Sequence, residues 1–177
     1  MTSLEQLKIT YTKILDFYFI PLESNFYDLY QTYLYKNCEV CEQRPAKSEF
    51  MICLLCGDII CLRVCPKSES GIVECGNMNA HALIKHSGSS VFLDAFTSRH
   101  LIVEAPKSYF FNGIYRNKLG YSFGELRQGH KDLDLKEFDL DEDTLQNLRI
   151  EIMNHNLCNL ITQANAKDGK YLKFLAL

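Results

Sequence analysis

The sequence predicts an α+β fold in which a core of short strands is flanked by N-terminal and C-terminal helices. Apolar residues recur at helical spacing near both ends of the chain, whereas the middle consists of short apolar pieces separated by glycine and proline. Seven of the eight cysteines lie between Cys38 and Cys75, inside that middle part. With 177 residues, of which 47% are hydrophobic and 23% charged, the chain is long enough to bury a core.

Residues 1–37 form a predicted helical segment. Two apolar stripes predict two amphipathic helices, the first ending before Pro21 and the second following an N-cap at Ser24 or Asn25. The first stripe consists of Leu4, Leu7, Tyr11, Ile14, Leu15 and Tyr18, and the second of Phe26, Leu29, Tyr30, Tyr33 and Leu34. Both stripes are expected to pack inward.

Residues 38–105 form the predicted core. The apolar pieces "FMICLL" and "DIICLRV" indicate brief elements, and the second is expected to be a buried strand. The runs "SVFLDAF" and "HLIVEA" are rich in strand-forming residues and are joined by "TSR", which predicts a β-hairpin. Elements this short bury little surface, so a further source of stability is expected in this part of the chain.

Residues 106–177 form a predicted loop-rich segment and a C-terminal helix that pack on the core. The glycine-rich stretch from Pro106 to Leu135 is a candidate contact surface, because long ordered loops commonly bind or cover something. A helix capped by Asp139 or Asp141 is expected to run through Leu160, and the terminal "KYLKFLAL" is expected to dock. We expect the three parts to form one compact unit.

The cysteine-rich core carries nine candidate zinc ligands. They are Cys38, Cys41, Cys53, Cys56, Cys61, Cys65, Cys75, His81 and His86. A Cys-x2-Cys turn aims two thiolates at one ion, and Gly57 permits a tight exit from the second of these turns. The pattern predicts one or two structural Zn²⁺ ions around which the core folds, making a zinc-stabilised small-strand core. Buried free thiols are the alternative interpretation.

The spacing leaves the partition of ligands open. A preferred split puts Cys53, Cys56, Cys75 and His81 on one ion and Cys38, Cys41, Cys65 and His86 on another. Cys61 is then left over in a buried strand, and a single ion held by both Cys-x2-Cys pairs is the competing arrangement. Full coordination by protein ligands predicts structural sites, since catalytic zinc keeps a position open for water.

Other residues predict neither a catalytic group nor an organic cofactor. Cys158 is expected in the core, and His100, His130 and His155 on the surface or in loops. The net charge of −3 provides no attraction for nucleic acid or an anionic membrane. No apolar run reaches the roughly 20 residues that span a bilayer, and no secretory signal is recognisable. A cytoplasmic protein is expected, with the nucleus as a second candidate location.

The order of motifs is distinctive: "IPLESNFYDLY", "CLLCGDIICLRVC", "GIVECGNMNAHA", "SVFLDAF" and "GELRQG". In this order they resemble the C-terminal domain of the UBR-family N-recognins, large RING-type ubiquitin ligases that read destabilising N-terminal residues of their substrates. The resemblance extends from Ile20 to the end and is most specific in the cysteine block. The family's "GLRRG" loop is matched by "ELRQG" at residues 125–129.

The resemblance also implies a ligand set. Family positions are matched by Cys38, Cys53, Cys56, Cys61, Cys65, Cys75 and His81, which keeps Cys61 among the candidates. The family has a further cysteine where this sequence has a displaced His86, and Cys41 is an addition. These departures concern the second metal site.

The implied function is a structural zinc-binding, protein-interaction C-terminal domain of a large ubiquitin-protein ligase of the N-degron pathway. Neither a UBR box nor a RING is recognisable, so the chain is expected to be a non-catalytic fragment, with transfer belonging to the parent protein. Implied partners are other domains of the parent, an adaptor or substrate protein, and a ubiquitin-conjugating enzyme through the parent. The alternative is a zinc-ribbon nucleic-acid-binding or transcription-associated module, which the balance of charges between Cys38 and His86 disfavours. A hydrolytic zinc enzyme would need a carboxylate base beside the ligands.

Overall fold

The computed structural model describes residues 19–45, 50–62, 77–127 and 133–168. Five strands form the central sheet: β1 (Phe50–Cys53), β2 (Ile59–Cys61), β3 (Ser89–Asp94), β4 (Arg99–Glu104) and β5 (Lys107–Gly113). They pair antiparallel in the order β2-β1-β3-β4-β5. The sheet therefore includes β5, which follows residue 105, the end of the predicted core. The hairpin predicted from "SVFLDAF" and "HLIVEA" is confirmed as β3–β4, and "DIICLRV" contains β2.

Five α-helices lie in the described ranges: α1 (Phe26–Tyr33), α2 (Asn77–Lys85), α3 (Phe123–Leu126), α4 (Glu142–Met153) and α5 (Leu157–Asp168). A 3-10 helix covers Leu135–Glu137. A two-stranded sheet of β6 (Tyr115–Arg116) and β7 (Asp139–Leu140) precedes α4. Two predicted caps are present: the side chain of Asn25 accepts a hydrogen bond from the N–H of Tyr27 at 3.0 Å, and Asp141 caps α4. The α+β class is therefore confirmed.

Both faces of the central sheet are covered. Alternate residues of β1 show this, because Ile52 packs into a core with α1, α4 and α5, whereas Met51 and Cys53 pack into a second core that includes Ala82 of α2. A strand that is buried on both sides reads as a continuous apolar run, as "FMIC" does. This arrangement points the Cys53 side chain toward the face on which α2 lies.

The structure corrects four sequence expectations. Residues 106–140 contain β5 as well as loops, and the C-terminal helix is interrupted after Met153, where His155 has a left-handed φ of 52°. Cys158 is exposed on α5, because the buried face of this helix is formed by Leu157 and Ile161. His100 is buried rather than superficial, because its position in β4 turns it toward Phe111, on which its ring stacks.

Some expectations fall outside the described ranges: the helix over residues 4–18, the docking of residues 170–177, and the placement of His130. Within those ranges, no helix combines the length and apolar character needed to cross a membrane.

Candidate metal centre

The turn between β1 and β2 forms the first cysteine knuckle. Cys53 ends β1 and Cys56 lies in the turn. The chain leaves the knuckle at Gly57, whose φ of 80° is a left-handed conformation that glycine adopts without a steric penalty. The N–H of Gly57 donates to the carbonyl of Cys53 at 2.8 Å, and the N–H of Cys53 donates to the carbonyl of Asp58 at 2.9 Å. These bonds hold both thiols on one side of the hairpin.

Helix α2 brings two imidazoles to the same place. His81 lies in the helix and His86 follows its last residue, and the two Nε2 atoms are 3.2 Å apart. The Sγ of Cys53 is 3.4 Å from Nε2 of His86, and the Sγ of Cys56 is 3.4 Å from Nε2 of His81. All four ligand atoms lie within 4.8 Å of one another, and we call them the Cys2His2 cluster.

These separations fit the edges of a zinc tetrahedron. With Zn–S of about 2.3 Å and Zn–N of about 2.0 Å, a sulfur and a nitrogen ligand are about 3.5 Å apart, and two nitrogens about 3.3 Å. The observed values are 3.4 Å and 3.2 Å. The donor set of two thiols and two imidazoles is also one that zinc prefers. The residues therefore suit the ion, and the four of them would together supply a complete tetrahedral set of ligands.

A second group contains Cys38, Cys41 and Cys61, which we call the three-cysteine cluster. The sulfurs of Cys41 and Cys61 are 3.8 Å apart, and two thiolates on one tetrahedral zinc ion are about 3.8 Å apart. The N–H of Cys61 donates to the Sγ of Cys38 at 3.4 Å, an interaction that favours a thiolate. Three ligands from the described residues therefore meet at the end of β2.

The protonation states suit metal binding. Burial lowers the pKa of His81 to about 4, and the adjacent His86 ring adds to the effect; burial likewise lowers the pKa of His86. Both imidazoles are neutral at pH 7, as metal ligands must be. Burial opposes ionisation of Cys38, but backbone N–H donors from its own turn and from β2 outweigh it and lower its pKa. Partial burial raises the pKa of Cys56 to about 12, so metal would displace a proton there.

Lys85 lies beside both clusters. Its ammonium donates to Oε1 of Glu39 at 2.6 Å and to Oδ2 of Asp58 at 2.8 Å. Glu39 lies inside the turn "CEVC" and Asp58 follows "CLLCG". The spacing of the candidate ligands does not point to these three residues, although charges of opposite sign next to such ligands are a weak signal for them.

Two further polar groups support the ligands from α2 and β3. Asn77 at the start of α2 donates from Nδ2 to the carbonyl of Cys61 at 3.2 Å. Ser90 of β3 places its Oγ 3.3 Å from the Sγ of Cys53. Hydrogen bonds of this kind orient ligands and tune their basicity.

The observed grouping corrects the preferred partition of ligands. His86 meets Cys53, Cys56 and His81, because it follows the last residue of α2 and its Nε2 lies 3.2 Å from Nε2 of His81. Cys61 is not left over, because it ends β2 beside Cys38 and Cys41. The two Cys-x2-Cys pairs are in separate clusters, so the single-ion arrangement is also wrong. Cys65 and Cys75 lie outside the described residues.

The "ELRQG" stretch begins in α3, away from the clusters along the chain. Ser122 and Glu125 form a capping box, with the Glu125 carboxylate accepting hydrogen bonds from the N–H and hydroxyl of Ser122 at 2.7 Å. The guanidinium of Arg127 lies 3.4 Å from the centre of the Phe96 ring. This arginine is thus held against the turn between β3 and β4, and residues 128–129 lie outside the described part.

Comparisons with known proteins agree on one relationship. A family model described as Proteolysis_6 C-terminal matches residues 2–135. The E3 ubiquitin-protein ligase UBR3 of Homo sapiens and that of Mus musculus are each 28% identical over 111 residues, and ubr3 of Danio rerio is 24% identical over 110 residues. Each alignment covers 62% of this chain but only 6% of the relative. The chain belongs to the Proteolysis_6 C-terminal family, which confirms its resemblance to the C-terminal domain of the UBR-family N-recognins.

Proposed function

We propose that the chain is a structural zinc-binding, protein-interaction domain of a large ubiquitin-protein ligase of the N-degron pathway. One observation carries the proposal: four zinc-type ligand atoms converge at tetrahedral spacing in a member of this family. The UBR3 relatives are named as E3 ubiquitin-protein ligases, and the chain spans about 6% of their length. Transfer chemistry is therefore assigned to the rest of such a ligase.

Zinc is the proposed cofactor, and its role is to fold the domain. The Cys2His2 cluster fills a tetrahedron with protein ligands, which leaves no position for a reacting water. A second ion is proposed at Cys38, Cys41 and Cys61, and Cys65 and Cys75 stay sequence-based candidates for its fourth ligand. Reduced thiols are needed at both sites, which fits the cytoplasm or the nucleus.

The proposed partners are other domains of the ligase, an adaptor or substrate protein, and a conjugating enzyme that is reached through the parent. The segment between Pro106 and Leu135 stays the candidate contact surface. Within it, the turn after β6 exposes 79% of Leu119 and 51% of Tyr121 to solvent. Large apolar side chains at a loop tip commonly serve recognition.

Ubiquitin transfer in a reconstituted assay tests the proposal. With ubiquitin, activating enzyme and conjugating enzymes, the chain alone should form no conjugates. Cys56→Ser in the longer ligase should impair assembly or transfer, because it removes one of four ligands. Cys158→Ser is the matched control, since Cys158 is also exposed but lies on α5, outside both clusters. Conjugates formed by the chain alone, or equal activity of the two variants, would contradict the proposal.

A further inference from the structure

One helix touches both candidate metal clusters. Asn77 at the start of α2 holds the carbonyl of Cys61, a member of the three-cysteine cluster. His81 and His86, one and two turns further on, belong to the Cys2His2 cluster. A displacement of α2 therefore changes the geometry of both groups of ligands.

Lys85 joins the same two groups through charge. Its two carboxylate partners, Glu39 and Asp58, come from the two different knuckles. The Lys85 ammonium is thus held between the knuckles at 2.6 Å and 2.8 Å, and it immediately precedes the ligand His86. A cation with two short contacts of this kind fixes the distance between the elements that carry its partners.

The backbone makes a second connection between the knuckles. The N–H of Glu39 donates to the carbonyl of Ile59 at 2.8 Å, and the carbonyl of the preceding Asp58 accepts the N–H of Cys53. The carbonyls of the neighbouring residues Asp58 and Ile59 therefore each accept a hydrogen bond from a different knuckle. If either ion orders these two residues, it also orders a hydrogen bond that supports the ligands of the other ion.

Lys85 also lies between negative charges that adjoin the two clusters. Its partner Glu39 directly follows Cys38, and its partner Asp58 comes two residues after Cys56. Without the ammonium, these two carboxylates would lie close together with no cation between them.

We propose that Lys85 is a positioning residue that couples the two clusters, so that two zinc ions bind and leave cooperatively. The inference rests on the proposed zinc-binding function, and it adds that the sites are linked through Lys85 and the β2 backbone. Coupling of this kind is a free energy shared between the two sites, and it reduces the population that holds one ion.

Native mass spectrometry during stepwise chelation of the zinc-loaded chain tests the coupling. Two independent sites leave about half of the chains or more with one ion when half of the zinc has been removed. The wild-type chain should show a much smaller one-ion population. Lys85→Met removes the charge of the side chain and keeps approximately its length. This variant should raise the population of chains with one ion about threefold to tenfold, relative to the chains with no ion and with two ions.

Two variants separate coupling from a general effect on the surface. Lys118→Met alters an exposed lysine in the turn after β6 and should behave like the wild type. Lys85→Arg retains a cation that reaches two carboxylates, so this variant should keep most of the wild-type cooperativity. Far-UV circular dichroism of each loaded variant verifies that it is folded.

The outcomes distinguish this inference from the function on which it rests. Equal one-ion populations in the wild type and Lys85→Met, or independent loss of two ions from the wild type, would overturn the coupling and leave the metal sites intact. A wild-type chain that holds one ion would overturn the coupling and retain the Cys2His2 site. A chain that holds no zinc would refute the proposed function as well.

Discussion

Replacing His86 by asparagine removes one of the four ligands of the Cys2His2 cluster. The imidazole reaches the cluster through Nε2, which lies 3.2 Å from Nε2 of His81 and 3.4 Å from Sγ of Cys53. An asparagine amide ends about where the nearer part of the imidazole ring lies, so it does not reach the position of Nε2. With zinc bound, the variant would keep three protein ligands, and water would take the fourth position.

The expected loss of zinc affinity is at least about 100-fold. Disturbing a residue that only orients a ligand typically costs about 10–100-fold, and losing a ligand itself should exceed that range. At a fixed free zinc concentration well above Kd, a 100-fold weaker affinity removes about 2.7 kcal/mol of metal-linked stability. This is a large part of the roughly 5–15 kcal/mol that stabilises a typical domain.

The assay combines competition with a chromophoric chelator and urea unfolding at buffered free zinc. His155→Asn is a matched control, because His155 is exposed, and asparagine tolerates its left-handed φ of 52°. His155→Asn should retain wild-type affinity and unfolding midpoint. Equal zinc affinity in the His86→Asn and His155→Asn variants would refute the placement of His86 as a ligand.

Three further predictions concern the scaffold. Tyr115→Phe removes the hydroxyl that donates to the Glu23 carbonyl at 2.7 Å, so urea unfolding should show a loss of about 0.5–1.5 kcal/mol. The exposed Tyr121→Phe should change little, and equal losses would contradict the prediction. Burial lowers the pKa of His100 to about 4, below the ~6.5 of an unfolded chain. The free energy of unfolding of the wild type should therefore fall as pH falls from about 6.5 to about 4, and that of His100→Gln should fall less. Parallel curves of unfolding free energy against pH for the two proteins would contradict this prediction. Asp141→Ala removes the N-cap of α4 and should cost about 1 kcal/mol, with faster hydrogen exchange in the first turn of that helix; unchanged exchange would count against it.

The sequence predicted those features that depend on neighbouring residues. The cap at Asn25, the start of α4 after Asp141 and the β3–β4 hairpin follow from side-chain chemistry and periodicity within a few residues. The paired cysteines likewise pointed to metal, because two thiols at this spacing form a knuckle with little help from the rest of the fold.

The grouping of ligands could not be read from spacing because it depends on how elements pack. Cys53 meets His86 only because α2 covers the sheet face toward which Cys53 points. Cys61 joins the three-cysteine cluster because β2 pairs with β1 and ends beside Cys38. Neither the face covered by a helix nor the end of a strand is encoded in the number of residues between two ligands.

The sequence missed β5 and the burial of His100 for a related reason. Strand β5 lies at the edge of the sheet, and its sequence KSYFFNG has three consecutive aromatic residues instead of the apolar–polar alternation that marks a half-buried strand. His100 pairs with Phe111 of this strand, and its Nδ1 lies 2.7 Å from the carbonyl of Asn112. Without β5 in place, nothing local distinguishes this histidine from a surface one.

Exhaustive chelation, followed by zinc analysis per chain and far-UV circular dichroism on the same sample, tests most directly whether metal organises the domain. Structural zinc supplies folding free energy, so removal of zinc should be accompanied by loss of the native spectrum, and both should return when zinc is added back. A native spectrum that persists in a chain shown to contain no zinc would contradict this account.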